Sequence, residues 1–222
     1  MARHEEKYII SYAQYVLLKQ RAMLALTPDS HGTEGSYTIA SLYYDDPQDT
    51  ALDEKRDGLA LHRKFRVRAY DGSDRFIKLE RKDKQGIMTV KWAAPIRREQ
   101  IGMLTRGETD LQQLSGDARA LAAQMAATGL APAVVVRYKR DAFYHAGSDL
   151  RLTFDRELQA LPPDADALFD LALPGIPVLD GNSVIMEIKY GSRIPGFVRR
   201  LTAVNCRQLS VSKYALCREM YR

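Results

Sequence analysis

The stretch LHRKFRVRAY, residues 61–70, is followed by Asp71-Gly72-Ser73-Asp74 and then by RFIKLERK, residues 75–82. In an extended chain, alternate side chains point to opposite faces. His62, Lys64, Arg66 and Arg68 therefore share one face, and Phe65, Val67 and Ala69 share the other. In the second run Lys78, Glu80 and Lys82 stand against Ile77 and Leu79. Asp-Gly between two alternating runs is a strong hairpin signal. The pair predicts an antiparallel hairpin with one apolar face and one face dominated by cations.

The same pattern continues in both directions. RHEEKYII, residues 3–10, reads as a strand that aligns Arg3, Glu5 and Lys7, and a helix follows to Leu26 with Ser11 as its N-cap. YTIASLYYDD (37–46) is a strand rich in aromatic and β-branched residues, and DTALDEKRDG (49–58) a short helix ended by Gly58. IMTVKWAA (87–94) is a further strand, and the Ala- and Leu-rich residues 95–129 read as one or two helices. APAVVVRYKRDAFYH (131–145) and DLRLTFDREL (149–158) are strands that align Arg137 with Lys139. A Pro-rich connection (161–181), the strand SVIMEIKY (183–190) with Glu187 and Lys189 on one face, and two short helices complete the chain. Phe65, Phe76, Tyr70 and Trp92 are assigned to packing, and Asp155 to an ion pair with a neighbouring basic residue.

Composition excludes several classes. The 222 residues are 45% hydrophobic and 27% charged, which fits one globular domain spanning 1–222 and rules out a disordered or fibrous chain. Two cysteines without CxxC spacing exclude a disulfide scaffold or zinc module. No run approaches the roughly 18 apolar residues of a membrane span, and MARHEEKYII lacks a signal-peptide core, so a cytoplasmic location is expected. The 33 Lys and Arg exceed the 28 Asp and Glu by five charges, a modest surplus whose distribution matters more than its size.

Taken singly, each charged strand face is an ordinary wet face of an antiparallel sheet. Collectively the reading changes, because apolar-striped helices are available to cover the other faces. The expected fold is α+β, an antiparallel β-barrel tunnel with helices packed on the outside. Cations lining such a lumen repel one another unless a polyanion fills it. Phosphate chains suit it, since Arg binds phosphoryl oxygens bidentately and Lys binds them as a point charge. A sparse carboxylate among the cations is either their salt-bridge partner or a ligand for a divalent metal that bridges phosphate oxygens.

RHEEKY, SLYYDD with the helix bearing Arg56, FRVRAY, FIKLERK, RYKRDAF, RLTFD, MEIKY and SVSKY, in that order, resemble the catalytic polyphosphate-polymerase domain of the vacuolar transporter chaperone family. That family belongs to the triphosphate tunnel metalloenzymes. The resemblance runs from Arg3 to Tyr214 and is specific as an ordered set, each motif alone being weak. It implies transfer of the γ-phosphate of ATP onto a growing inorganic polyphosphate chain, releasing ADP, with Mn²⁺ or Mg²⁺ as cofactor. It places phosphate-binding residues at Lys7, Arg56, Arg66, Arg68, Lys82, Arg140, Arg151 and Lys213, hydroxyl contacts at Tyr138 and Ser212, and the metal ligand at Glu187. Lys189 joins this set from its place beside Glu187, while Glu5 and Glu80 rank second as metal ligands. Arg66, Arg68, Lys82 and Arg151 are expected to hold the triphosphate for transfer. The chain has room for the tunnel domain only, with no phosphate-sensing domain or membrane segment, so any membrane protein would be a separate partner.

Two other readings stay beside the polymerase. The same tunnel in other families hydrolyses inorganic or organic triphosphates, and a non-catalytic polyphosphate binder needs the same cations. Nucleic acid is not an expected partner: no RNP-like aromatic strand, zinc finger or helix-turn-helix pattern occurs.

Overall fold

The computed structural model describes residues 4–32, 35–86, 88–106, 111–191 and 193–221; Arg3 lies outside them. The strands are β1 (His4–Ser11), β2 (Thr27–Pro28), β3 (Ser36–Asp45), β4 (Leu61–Tyr70), β5 (Ser73–Gln85), β6 (Met88–Ile96), β7 (Ala131–Tyr144), β8 (Arg151–Leu161), β9 (Ile176–Pro177), β10 (Ser183–Tyr190) and β11 (Arg207–Gln208). The helices are α1 (Tyr12–Ala25), α2 (Thr50–Arg56), α3 (Arg98–Arg106), α4 (Gly116–Ala127), α5 (Gly196–Leu201) and α6 (Lys213–Arg218). The sheet order is β11-β1-β10-β8-β7-β3-β4-β5-β6, with β2 on β7 and β9 on β8; β1 pairs antiparallel with β10 and β11, as do β10 with β8, β2 with β7, β3 with β4, β4 with β5, β5 with β6 and β8 with β9. Among the described residues β11 and β6 are the two ends of this order and do not pair, so the sheet is not closed into the expected barrel. Closure is set by contacts between strands remote in sequence, and alternation within each strand does not report it.

The chain divides into two compact units, and β3, β7 and β8 each contribute residues to both. One unit holds Met1–Thr38, Tyr138–Leu158 and Leu179–Val211; the other holds Ile39–Arg137, Gln159–Val178 and Ser212–Arg222. In the first, Ile10, Leu152, Phe154, Val184, Met186 and Ile188 are buried with Tyr15, Leu18 and Ala22 of α1 and Val198 and Leu201 of α5. In the second, Leu42, Tyr44, Phe65, Val67, Leu79, Ala94 and Ile96 are buried with Ile101 and Leu104 of α3 and Leu121, Ala122 and Met125 of α4. Each such large side chain contributes about 1.5–3 kcal/mol by leaving water. In both units the apolar face of the strands takes the helices, and the opposite face carries the charged residues.

Local signals account for the element ends. Ser11 caps α1 by accepting from the Gln14 amide, and the Gln14 side chain accepts from the Ser11 amide, a complete capping box. The β4–β5 turn has positive φ at Asp71 (50°) and Gly72 (65°), with Tyr70 paired to Ser73, as a two-residue hairpin turn demands. A Cβ on Gly72 would stand 2.7 Å from the Phe169 carbonyl oxygen, so close approach also requires glycine there. Phe76, assigned above to packing, is 70% exposed on the same strand face as the exposed Lys78, and Trp92 lies partly exposed under the Arg81 guanidinium. Among the described residues no helix is long and apolar enough to cross a membrane.

Candidate functional site

The polar face of the first unit is assembled by strand register. Glu5 stands opposite Lys189 and Lys7 opposite Glu187 across β1 and β10, and Glu187 stands opposite Thr153 and Lys189 opposite Arg151 across β10 and β8. Lys189 Nζ donates to Glu187 Oε2 at 3.1 Å and lies 3.6 Å from Glu5 Oε1. Lys7 Nζ lies 3.5 Å from Glu5 and 3.8 Å from Glu187, and donates to the Val211 carbonyl at 3.2 Å. Two carboxylates and two ammonium groups thus alternate over β1 and β10.

Arg140 extends this cluster from β7. It binds Asp155 bidentately, at 2.6 and 2.7 Å, its Nη2 stands 3.6 Å from Glu187, and its guanidinium lies over the Tyr138 ring. Burial alone would weaken the charge on Arg140, but Asp155, Tyr138 and Glu187 raise its pKa well above the usual arginine value. The phase of β7 read from Arg137 and Lys139 is therefore corrected. Arg137 belongs to the other unit, bonded to Gln159 and to the Asp170 and Leu173 carbonyls, and Lys139 pairs with Glu157. Arg151 is held by Asp29 Oδ2 at 2.6 Å and the Tyr37 hydroxyl at 2.9 Å. Opposing the burial of its carboxyl, His31 and Arg151 hold Asp29 below the usual carboxylate range.

The second unit carries its own polar face. Across β4, β5 and β6 the register aligns Lys64, Lys82 and Lys91, then Arg66, Glu80 and Ala93, then Arg68, Lys78 and Pro95. Like charges directly opposed across strands destabilise a sheet. Glu80 offsets part of this: Arg66 contacts it at 2.7 Å through Nε and 2.6 Å through Nη2, and Lys91 pairs with its other oxygen. Although burial works in the opposite sense, Arg66, Arg68 and Lys91 hold the Glu80 carboxyl far below its ordinary range. Lys91 is lowered in turn, by burial and by Arg66 and Arg68, against the pull of Glu80.

Tyr43 accepts from Arg66 Nη1 at 2.8 Å and Ser41 from Arg68 Nε at 3.2 Å. Ser212 caps α6 and accepts from Lys64 Nζ at 3.1 Å, with Lys213 the first residue of that helix. Asp45 accepts from the Ala51 and Leu52 amides at the start of α2 and from the Tyr214 hydroxyl. Arg56, at the end of α2, stands half exposed beside Asp53 and Glu219, at 4.0 and 3.9 Å.

The candidate residues thus fall into two groups. Glu5, Lys7, Tyr138, Arg140, Arg151, Glu187 and Lys189 belong to the first unit, and Arg56, Arg66, Arg68, Glu80, Lys82, Ser212 and Lys213 to the second. Sequence reasoning missed Lys91, Tyr43, Asp29 and Thr153. Lys91 and Tyr43 had a signal, being in phase with the polar residues of their strands; Asp29, in a loop, had none.

A divalent cation can be tested against these donors. Among the described residues no three His, Cys, Asp or Glu side chains converge into a metal-holding group. Mg²⁺ asks for less, being commonly held by one or two carboxylates together with phosphate oxygens and water. Glu187 and Glu5 fit that requirement: cationic ammonium groups already stand between them, and beside Glu187 the buried Thr153 Oγ1 makes no hydrogen bond. Glu80 fits less well, since Arg66 at 2.6 Å and Lys91 hold its oxygens more closely than the 3.1–3.8 Å at which cations approach those of Glu187.

Comparison with known proteins places this architecture. A comparison with curated proteins finds no match. A proposed adenylate cyclase from Bacillus halodurans superposes with a TM-score of 0.55 at 12% identity, over 96% of this chain and 96% of that one. The PH1819 protein of Pyrococcus horikoshii OT3 gives 0.51 at 11% identity, over 98% and 96%. A chain in the structure of the Schizosaccharomyces pombe Mediator head module gives 0.51 at 9% identity, over 94% and 98%. At such identities the likeness is one of fold. The family model described as the VTC domain matches residues 2–221, nearly the whole sequence. The chain belongs to the VTC domain family.

Proposed function

We propose that the chain is a metal-dependent polyphosphate polymerase that transfers the γ-phosphate of ATP to a growing inorganic polyphosphate chain and releases ADP. The observation that carries this reading is the charge on the polar face of β4–β6. At its cross-strand paired positions stand Lys64, Arg66, Arg68, Lys78, Lys82, Lys84 and Lys91, with Glu80 the one carboxylate among them; Asp74 shares the phase at the start of β5. Such a face is stabilised by an anion longer than one phosphate, and family membership supports a triphosphate or a polyphosphate chain as that anion.

Catalysis of phosphoryl transfer is mostly positioning and neutralisation of charge on the equatorial oxygens. On the second unit Arg66, Arg68 and Lys82, with Arg56, Lys213 and the Ser212 hydroxyl, are the phosphate contacts in this reading; on the first unit they are Arg151, Lys7, Arg140, Lys189 and the Tyr138 hydroxyl. A terminal oxyanion of the chain forms a bond to the γ-phosphorus as the bond to the β–γ bridging oxygen breaks, and ADP leaves with that electron pair. The attacking oxyanion is already deprotonated, so no general base is needed. Glu187, with Glu5 beside it, would hold a Mn²⁺ or Mg²⁺, which would supply neutralisation of phosphoryl charge. ATP and polyphosphate are thus the proposed partners, bound in the manner of triphosphate tunnel enzymes.

The test is incubation of the purified protein with ATP and Mn²⁺, with and without a short polyphosphate primer, followed by ³¹P NMR of the products. ADP with long-chain polyphosphate is expected; orthophosphate alone makes the protein a triphosphatase, and retained primer without turnover makes it a binder. Glu187→Gln is expected to abolish turnover while leaving tripolyphosphate binding within about threefold, since it removes a negative charge from a cationic face. Arg66→Ala is expected to weaken tripolyphosphate binding by at least about tenfold in calorimetry, because a guanidinium–phosphate contact is worth about 1.5–3 kcal/mol.

A further inference from the structure

Thr153 is 1% exposed and its Oγ1 makes no hydrogen bond among the described residues, yet it lies at the centre of a polar face. Its cross-strand partner is Glu187, and its neighbours two residues away on β8 are Arg151 and Asp155. A buried hydroxyl without a partner costs about 1–3 kcal/mol, and an apolar residue of the same shape would avoid that cost. Such an atom in an otherwise well-paired cluster points to a bond made only when something else is bound.

Directly opposed residues of antiparallel strands have Cβ atoms about 4.5–5.5 Å apart, which puts the Thr153 hydroxyl beside the stem of Glu187. Glu187 is itself 3% exposed and is approached by Lys189, Arg140 and Lys7, all of which carry positive charge. These cations are donors only and offer a metal nothing. The carboxylates of the face are few, so a hard cation bound here has need of neutral oxygen. Thr153 Oγ1 has lone pairs that no donor among the described residues takes.

We infer that Thr153 is a metal-ligating residue, giving its hydroxyl oxygen to the divalent cation held by Glu187. This rests on the metal-dependent reading above and adds a ligand to it. The β-branched side chain suits the role, since its χ1 is restricted by the strand and its oxygen is fixed before the ion arrives. A cation on Glu187 would also displace the Lys189 ammonium from that carboxylate, leaving it for phosphate.

The experiment titrates the whole protein with Mn²⁺ alone, without nucleotide, and follows free Mn²⁺ by electron paramagnetic resonance. Thr153→Val, which keeps the shape and removes the oxygen, is expected to weaken Mn²⁺ binding about tenfold, and Thr153→Ser to stay within about threefold of the parent. Metal-free Thr153→Val is expected to melt no lower than the parent, because it loses an unpaired hydroxyl. Equal Mn²⁺ affinity for Thr153→Val and the parent overturns the inference and leaves the Glu187 site standing. A lower melting temperature of metal-free Thr153→Val also overturns it, since the hydroxyl would then be making a structural bond. Parent protein that binds no Mn²⁺, or that binds it as well after Glu187→Gln, overturns the underlying metal site and the inference with it.

Discussion

Asp155 is fully buried, and its two oxygens are taken by the Arg140 guanidinium. Removing one partner of a buried pair leaves an uncompensated charge and costs about 3–5 kcal/mol, more than the pair itself contributes. Asp155→Asn is therefore expected to lower the melting temperature by about 6–12 °C, measured by calorimetry, for a loss near 3 kcal/mol in a chain of this size. The residue type already pointed to an ion pair in RLTFD, because a buried aspartate among basic strands has few alternatives. Glu5, Lys7, Glu187 and Lys189 were equally legible: each pair shares a strand phase, and the register then brings the two strands side by side. Thr153 was not legible, since a hydroxyl on a strand is commonplace and only the missing hydrogen bond marks it. Arg140 was picked out by the resemblance and not by its own strand, in which charge occupies 137, 139, 140 and 141 and gives no single phase.

At the level of elements, the ends of the first helix and of the β4–β5 hairpin were both readable, because each depends on a few adjacent residues. Ser11 with Gln14 makes the capping box of α1, and Asp71-Gly72 makes the turn. Ser11→Ala is expected to cost about 1 kcal/mol, a fall of about 2–4 °C in melting temperature, with turnover unchanged at temperatures where the protein stays folded. What strand alternation alone could not supply was the order of strands. β11 is two residues long and pairs with β1 from the far end of the chain, and neither its existence nor the open ends of the sheet follow from any local pattern. Phe76 shows the cost of setting hydrophobicity above phase, for its alternation with Ile77 already placed it on the wet face.

Across the whole molecule, a surplus of only five positive charges conceals a concentrated one: at the paired positions of one face of β4–β6, Lys64, Arg66, Arg68, Lys78, Lys82, Lys84 and Lys91 stand around Glu80. Attraction of a polyanion to such a face is screened by salt, with a Debye length of about 10 Å at 0.1 M and about 3 Å at 1 M. Raising sodium chloride from about 0.05 M to about 0.5 M is accordingly expected to weaken tripolyphosphate binding by about tenfold or more, measured by calorimetry without metal. Neither unit is a continuous piece of sequence: each is assembled from three separate segments, and β3, β7 and β8 run from one into the other. A single cut anywhere in the chain therefore cannot release one unit whole. The two charged strand faces are bound to be inherited together, and a truncation, exon loss or fusion that discards one of them damages the other, so they cannot be shuffled as independent modules.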